Sequence, residues 1–229
     1  MTDVAAAWSR ISERVAAAAR RAGRPPGSVR IVAVTKTHSV QTVAAVIAAG
    51  ATDIGENYIQ EAAAKIAAIG RSVRWHMIGH LQRNKALRAA ELFDCVHTVA
   101  NLALAQRLGR AVAERGGRLP VLIEVNIGGE LQKSGVAVEA AADLAVQVRR
   151  IEALRLQGLM TIPPRVEHAE AVRAYFAALR RLGERLAGVF DTATGAPELS
   201  MGMSGDFEVA VEEGATMVRI GRALFGERG

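Results

Sequence analysis

Lys36 is the residue whose position most clearly suggests chemistry, because it stands directly after a short apolar run, residues 29–34. The β-branched residues of that run predict a buried parallel strand, and α/β proteins build their functional sites where such strands end. An amine withdrawn from water there has a lowered pKa and can form a Schiff base with an aldehyde. Only four of the 29 Lys and Arg residues are lysines, which favours a chemical role. From this stretch alone, a chance lysine at a strand end is an equally good interpretation.

Arg219 lies inside another apolar run, residues 215–220, near the end of the chain. The two-residue period of a strand places Met217, Arg219 and Gly221 on one face and the two apolar residues between them on the other. If the apolar face packs against helices, Arg219 points into the interior. An unpaired guanidinium is costly there, so we expect Arg219 to have a buried acceptor.

Two glycine-bearing segments, 201–206 and 219–226, follow the last two predicted strands. They supply the Ser204 hydroxyl and backbone N–H groups at helix starts, which suit a phosphate. A lysine amine, an inward arginine and a phosphate site together match pyridoxal 5′-phosphate (PLP), which carries an aldehyde, a ring nitrogen and a phosphate. A sugar-phosphate aldolase that works through a lysine Schiff base shares two of these three features and is kept as an alternative.

The elements that must position these residues are eight apolar runs that alternate with helical patterns. The predicted strands are residues 29–34, 52–57, 74–79, 95–99, 121–127, 156–162, 199–203 and 215–220. A further helical pattern, residues 4–22, precedes the first strand. Strict alternation over 229 residues favours an α/β fold with a single closed (β/α)8 TIM barrel and an extra N-terminal helix. No linker-like stretch divides the chain, so one domain, 1–229, is predicted.

Composition narrows the class of protein. Half of the residues are hydrophobic and only 4% are aromatic, so a core of Ala, Val, Leu and Ile is expected. Cys95 is the single cysteine, which excludes an internal disulfide and indicates a reducing compartment. No apolar stretch is long enough to span a bilayer, and the first ten residues lack the hydrophobic segment of a secretory signal. We therefore expect a cytoplasmic protein with no membrane partner.

The formal charge of +6 and the pI of about 10.2 raise the question of nucleic-acid binding, which clustered cations favour through counterion release. The arginines are dispersed, however. They recur at helix-surface spacing and have no interleaved aromatic residues. This pattern is typical of solvated helix faces, so no nucleic-acid partner is predicted.

Three histidines, His38, His76 and His80, fall near the carboxyl ends of predicted strands and suggest a metal site. No cysteine or carboxylate stands at ligand spacing with them, so we predict hydrogen-bonding or packing roles and expect no metal. Lys85 and Lys133 fall in loops at the same end of the strands. Contact with the outer edge of a ligand or with a second PLP is considered for them, but solvent exposure is the default expectation.

Several segments together match one known family. They are 32–36 (VAVTK), 55–58 (GENY), 75–85 (WHMIGHLQRNK), 133–135 (KSG), 158–160 (GLM), 199–204 (LSMGMS) and 218–226 (VRIGRALFG). With these segments in the family's order, the chain resembles the pyridoxal phosphate homeostasis protein family, also called the PLPBP or YggS family. The resemblance implies a barrel similar to the N-terminal domain of bacterial alanine racemase, with PLP held as a Schiff base on Lys36.

The same resemblance implies roles for individual residues. Arg219 would face the pyridine nitrogen, while Ser204, Gly221 and neighbouring backbone would hold the phosphate. Asn57 would lie beside the ring. The full set of expected cofactor-binding residues is Lys36, Asn57, Ser200, Met203, Ser204, Arg219, Gly221 and Arg222. Arg83 stands where many members have a smaller residue, so the loop that carries it departs from the family pattern.

The expected activity follows partly from arginine chemistry. Because arginine effectively never loses its proton, it does not protonate the pyridine nitrogen, and PLP becomes a weaker electron sink. Alanine racemase uses two bases, one from a separate C-terminal domain, and no such domain is expected after Gly229. The family is regarded as binding and delivering PLP, so we expect a protein of intracellular PLP homeostasis without catalytic residues; a PLP-dependent amino-acid racemase is the alternative. The expected partners are PLP and PLP-requiring apoenzymes, and a monomer or weak homodimer is expected.

Overall fold

The computed structural model describes residues 3–130 and 132–226, so residues 1, 2, 131 and 227–229 of the predicted domain lie outside the described part. Its parallel strands close into a barrel. They are β1 (Arg30–Val34), β2 (Asp53–Glu56), β3 (Arg74–Met77), β4 (Cys95–Val99), β5 (Leu119–Asn126), β6 (Val136–Ala137), β7 (Leu154–Met160), β8 (Glu198–Ser200) and β9 (Met217–Ile220). All except β6 belong to the barrel, which β9 closes by pairing with β1. The predicted (β/α)8 fold is confirmed.

Helices surround the barrel. They are α1 (Val4–Arg21), α2 (Val40–Ala48), α3 (Ile59–Ile69), α4 (Ala86–Leu92), α5 (Leu102–Ala113), α6 (Ala141–Arg149), α7 (Arg173–Arg185), α8 (Phe207–Glu212) and α9 (Arg222–Phe225). The extra helix α1 packs against α2, α8 and α9. Side-chain caps explain several of the starts, and the Ser39 hydroxyl accepts the N–H of Thr42 at 3.2 Å as its position before α2 predicts. None of the helices in the described ranges is both long and apolar enough to cross a bilayer.

The core has two parts, one on each face of the barrel wall. The larger part lies between the strands and the helices and contains Val218 and Ile220. The smaller part fills the barrel and consists of Val32, Leu122, Met160 and Met217. Because successive side chains of a strand alternate between faces, the inward Met217 places Arg219 inside the barrel as predicted.

The differences from the predicted elements concern boundaries. The helical pattern between the sixth and seventh predicted strands, residues 166–186, predicts one long helix, but the segment begins with a 3-10 turn at Ala169–Val172 and becomes α-helical only at Arg173. The strand expected over 199–203 ends at Ser200, because Gly202 adopts a left-handed φ of 91° that a strand does not allow. The two-residue strand β6 was not predicted, since such a short pairing leaves no sequence pattern.

Candidate functional site

Lys36 lies in a turn just past the end of β1 and is half-buried. The next residue, Thr37, has a φ of 66° and is the single non-glycine residue with positive φ in the described ranges. A β-branched residue is an outlier in this region and persists only where the surroundings hold it. The backbone that carries Lys36 is therefore under local strain.

Two residues of α3 hold the backbone on both sides of Lys36. The Lys65 ammonium donates to the carbonyl oxygen of Thr35 at 2.7 Å. The Thr37 N–H donates to the Glu61 carboxylate at 2.7 Å, and the Lys65 and Glu61 side chains form an ion pair at 3.4 Å. We call this arrangement of Lys65 and Glu61 the α3 clamp. It fixes the peptide groups that flank Lys36, and it was not predicted from the sequence.

The α3 clamp is anchored by a buried carboxylate. Glu56 is fully buried, and its Oε1 accepts from Lys65 Nζ at 2.7 Å and from the Thr35 hydroxyl at 2.6 Å. Burial raises the pKa of Glu56, while the hydrogen bonds and charge of Lys65 and the Thr35 bond oppose that shift. Its Oε2 has no hydrogen-bond partner among the described residues. Lys65, only 4% exposed, is thus a structural cation in contact with the Lys36 turn.

Arg219 has the buried acceptors that its position requires. Its Nη1 donates to the carbonyl and the hydroxyl oxygen of Ser200, both at 2.7 Å, and its Nη2 donates to the carbonyl of Thr161 at 2.8 Å. Burial lowers the pKa of Arg219 to about 10, against the opposing charges of Asp206 and Glu124. The guanidinium carries five N–H groups. At least two, including Nε–H, have no partner among the described residues.

Glu124 is a buried carboxyl group beside Arg219 that was not predicted as a site residue. It is 6% exposed, and its Oε2 has no hydrogen-bond partner in the described part of the chain. Burial raises the pKa of Glu124 to about 7, although the charge of Arg219 opposes the rise. A carboxylate in the middle of the apolar run 121–127 is the signal that could have identified it.

The loops after β8 and β9 meet beside the end of β1. The Ser204 hydroxyl accepts the N–H of Ala223 at 3.1 Å, which joins the two loops. A Cβ on Gly221 would lie 3.4 Å from the carbonyl oxygen of Val34, so this backbone lies against the strand that carries Lys36. The structure therefore brings the predicted phosphate-binding segment and Lys36 to the same edge of the barrel.

The other predicted site residues lie around this edge at different depths. Asn57 and Met203 are half-buried, and Arg222 is exposed at the start of α9. Ser200 is fully buried, and its hydroxyl is bonded to both Arg219 and His97. Its hydroxyl therefore has protein partners on both sides.

The histidines do not form one group. His38 contacts the Phe225 ring at 4.5 Å between centroids, and His80 lies 3.1 Å from the Ser134 hydroxyl. His76 instead lies inside the barrel with Cys95 and His97, and ligand atoms of these three residues are within 4.8 Å of one another. The prediction that no cysteine or carboxylate accompanies these histidines is wrong for His76, because β3 and β4 pair His76 with Cys95. Its predicted hydrogen-bonding role is confirmed by a bond of 2.9 Å between His76 Nδ1 and His97 Nε2.

Asp53 completes this buried cluster. Its Oδ1 lies 2.9 Å from His76 Nε2. Burial by itself raises the pKa of Asp53, but hydrogen bonds from His76 and Thr52 and the nearby charge of Arg74 lower it to about 2. Asp53 is therefore ionised at neutral pH.

The two loop lysines are less exposed than predicted. Lys133 is half-buried, donates to the carbonyl of Pro163 at 2.9 Å and forms an ion pair with Glu130. Lys85 is also half-buried. The expected solvent exposure is therefore only partial for both lysines.

Comparisons with known proteins agree over the whole chain. A family model described as alanine racemase, N-terminal domain, matches residues 8–229. The pyridoxal phosphate homeostasis protein of Pseudomonas aeruginosa is 44% identical over 232 residues, covering 100% of this chain and 97% of that protein. The protein of the same name from Escherichia coli K12 is 40% identical over 235 residues, covering 100% and 98%. The structure of PipY from Synechococcus elongatus PCC7942 with PLP bound has a TM-score of 0.79 and 37% identity, covering 94% of this chain and 100% of that one.

Proposed function

This chain belongs to the pyridoxal phosphate homeostasis protein family, and we propose that it binds PLP in order to buffer or deliver this cofactor. The single observation that carries the proposal is that the joined loops after β8 and β9 lie against the end of β1, the strand that leads to Lys36. The name shared by its curated relatives and the PLP bound to PipY support it.

The residues present fit the groups of PLP. Lys36 supplies an amine on a turn that the α3 clamp holds. Arg219 retains N–H donors that no described residue uses, and these suit the ring nitrogen, which is an acceptor. Ser204 and Gly221 lie in the two glycine-bearing loops that the bond between Ser204 and Ala223 joins, and the backbone N–H groups of such loops suit a phosphate. The donor set therefore matches the aldehyde, the ring and the phosphate of PLP.

Each residue then has a definite task. PLP supplies an aldehyde for the lysine amine and a ring that withdraws electrons. Lys36 would hold the cofactor covalently, and Arg219 would orient the ring by donating a hydrogen bond to its nitrogen. Ser204 and Gly221 would hold the phosphate with help from the backbone of Met203 and the rim residue Arg222. Of the remaining predicted residues, Asn57 would border the ring, and Ser200 would act by holding Arg219.

We propose that the protein has no substantial catalytic turnover. The pKa of Arg219, lowered only to about 10 by burial, leaves this residue cationic at neutral pH, so it does not pass a proton to the ring nitrogen. A PLP-dependent amino-acid racemase is the second candidate. The match to the alanine racemase N-terminal domain favours it, and so does the buried Glu124 carboxyl, because a pKa raised to about 7 suits a general base.

The remaining assignments concern setting and partners. We propose a single domain over 1–229 in a cytoplasmic setting, which the buried thiol of Cys95 supports. PLP-requiring apoenzymes would receive the cofactor, and the protein would be a monomer or weak homodimer. A nucleic-acid role is not proposed, since surface arginines such as Arg14, Arg21 and Arg173 are ion-paired with acidic residues of α8 and its C-terminal end.

The test compares the wild type with Lys36→Ala after PLP has been added and the protein desalted. We expect the wild type to retain a visible absorption band that Lys36→Ala lacks. Absence of the band from both proteins would contradict PLP binding and favour a sugar-phosphate ligand. Loss of optical activity from an amino acid, abolished in Lys36→Ala, would show instead that the protein is a racemase.

A further inference from the structure

A continuous hydrogen-bond chain crosses the interior of the barrel from β2 to β9. Asp53 Oδ1 lies 2.9 Å from His76 Nε2, and His76 Nδ1 lies 2.9 Å from His97 Nε2. His97 Nδ1 lies 2.9 Å from the Ser200 hydroxyl oxygen, which lies 2.7 Å from Arg219 Nη1. All five residues are at most 4% exposed. Their polar atoms therefore depend on one another for hydrogen bonds.

The two end residues of the hydrogen-bond chain, Asp53 and Arg219, determine the direction of its hydrogen bonds. Arg219 only donates, and the ionised Asp53 carboxylate only accepts. Burial lowers the pKa of His97 well below its usual value, so this ring is neutral. Every bond has one donor and one acceptor if Ser200 donates to His97 Nδ1, His97 Nε2–H donates to His76 Nδ1, and His76 Nε2–H donates to Asp53.

A protonated His76 would break this order. Its Nδ1–H would then donate to His97 Nε2, and neutral His97 would carry its proton on Nδ1. The Ser200 hydroxyl would lose its acceptor within the described ranges, and a buried donor without an acceptor is costly. Two neutral rings of the Nε2–H form satisfy every hydrogen bond of the chain.

We propose that Asp53, His76 and His97 are positioning residues for Arg219, which they hold through Ser200 so that its remaining N–H groups face the ring nitrogen of PLP. The inference rests on the proposed function. Without His97, the hydroxyl group of Ser200 could rotate. Because His97 accepts the hydroxyl proton, a lone pair of the Ser200 oxygen stays directed at Arg219. With both rings in the Nε2–H form, neither histidine adds a positive charge beside the guanidinium.

The same cluster has a competing interpretation as a metal site. The thiol of Cys95 and the facing nitrogens of His76 and His97 are of the types that bind Zn²⁺. A metal would have to replace the bond between the two rings. Burial raises the pKa of Cys95 to about 12, which opposes the thiolate that zinc requires. These observations favour the hydrogen-bond chain.

The first test needs no PLP and is therefore independent of the proposed function. Long-range ¹H–¹⁵N NMR spectra of the whole protein at pH 7 report the tautomer of each histidine, with His76→Gln and His97→Gln used for assignment. We expect the Nε2–H form at both positions and no effect of added Zn²⁺. An Nδ1–H or cationic ring at either position would overturn the proposal. A zinc-induced rise in Tm that Cys95→Ala abolishes would replace it with a metal site.

The second test measures the effect on PLP binding. We expect His97→Phe to weaken PLP affinity about tenfold or more, the scale for loss of a hydrogen bond that orients a charged group, and to shift the visible band of the bound cofactor. His97→Gln can accept from Ser200 and donate to His76, so affinity should return to within about threefold of the wild type. Cys95 neighbours the two histidines but is not part of the hydrogen-bond chain. Cys95→Ala should therefore bind PLP with the affinity of the wild type.

The outcomes separate a positioning role from a structural one. A folded His97→Phe variant with wild-type affinity and band position would overturn the proposal, whatever its thermal stability. If His97→Phe does not fold, Ser200→Ala interrupts the same chain by removing one oxygen, and the same expectation applies to it. If the wild type itself does not bind PLP, the proposed function fails. The tautomer measurement still decides whether the hydrogen-bond chain from Asp53 to Arg219 exists.

Discussion

The ammonium group of Lys65 lies 2.7 Å from the carbonyl oxygen of Thr35, the residue that precedes Lys36. Lys65 is nearly fully buried on α3 and is also bonded to the Glu56 carboxylate. A lysine that has no exposed surface for its own chemistry thus holds the turn that carries the proposed cofactor lysine. This contact links the stability of the barrel to the geometry of its site.

Breaking the buried pair should destabilise the protein strongly. Lys65→Met keeps the length of the side chain but leaves Glu56 as a buried charge without its cation, which typically costs about 3–5 kcal/mol. Urea unfolding would measure the change. The double variant Lys65→Met, Glu56→Gln should recover a large part of the loss. Arg88→Met breaks an exposed ion pair with Glu91 and should cost less than about 1 kcal/mol; an equal loss in both single variants would contradict the role of burial.

Removal of Glu61 should act on the site more than on stability. Glu61→Ala leaves the strained Thr37 without the acceptor of its N–H, so the Lys36 turn is held less firmly. We expect PLP to dissociate several-fold faster, with a loss of about 1 kcal/mol in the free energy of unfolding. The rate is measured by transfer of PLP to an excess of an apoenzyme. Gln60→Ala, at the exposed neighbouring position, is the control and should release PLP at the wild-type rate.

The pH dependence of stability should reveal Glu124. Its pKa is raised by burial from 4.5 to about 7, so between these values the folded state keeps a proton that the unfolded state has lost. The free energy of unfolding therefore falls as pH rises through this window, by about 3 kcal/mol at ~1.4 kcal/mol per pKa unit. Without added cofactor, the stability of Glu124→Gln relative to the wild type should increase by about that amount between pH 4 and pH 8.

Its control is Glu152→Gln, which changes an exposed carboxylate. The stability difference between this variant and the wild type should stay nearly constant with pH. If Glu124→Gln shows the same flat difference, the carboxyl group of Glu124 is ionised in the folded protein at neutral pH.

Gly202 should tolerate no side chain. Its φ is 91°, and an added Cβ would lie 2.5 Å from the Cβ of Ala210. Gly202→Ala should therefore cost about 2–4 kcal/mol, from the left-handed conformation and the overpacking. Gly205→Ala is a matched control in the same loop, since nothing lies within 4 Å of its added Cβ. Thermal unfolding of both variants measures the difference, and Gly202→Ala should have the lower Tm. Equal Tm values would contradict the expected strain at Gly202.

Much of the architecture was predictable because local patterns report local geometry. Alternating apolar runs and helical patterns predicted the barrel and the leading helix, and the two-residue period at Met217 and Arg219 predicted that Arg219 is inward. The position of Lys36 directly after a strand predicted it as the cofactor lysine, and this role stays a proposal. The boundaries of the elements were less predictable. The strand β8 ends at Ser200 because of the backbone conformation of Gly202. A glycine permits this left-handed conformation but does not require it.

By itself, the sequence determined the fold, the inward arginine and the edge at which the proposed PLP site lies, because the period of side chains along a strand and the order of strands are properties of the chain. Only the tertiary structure decided that Asp53, His76 and His97 form one hydrogen-bond chain with Ser200, and that Lys65 holds Thr35. These residues come from different strands and from a helix, and whether their atoms meet depends on strand register and barrel closure. A hydrogen bond requires placement within tenths of an ångström, and such placement results from the packing of the whole barrel.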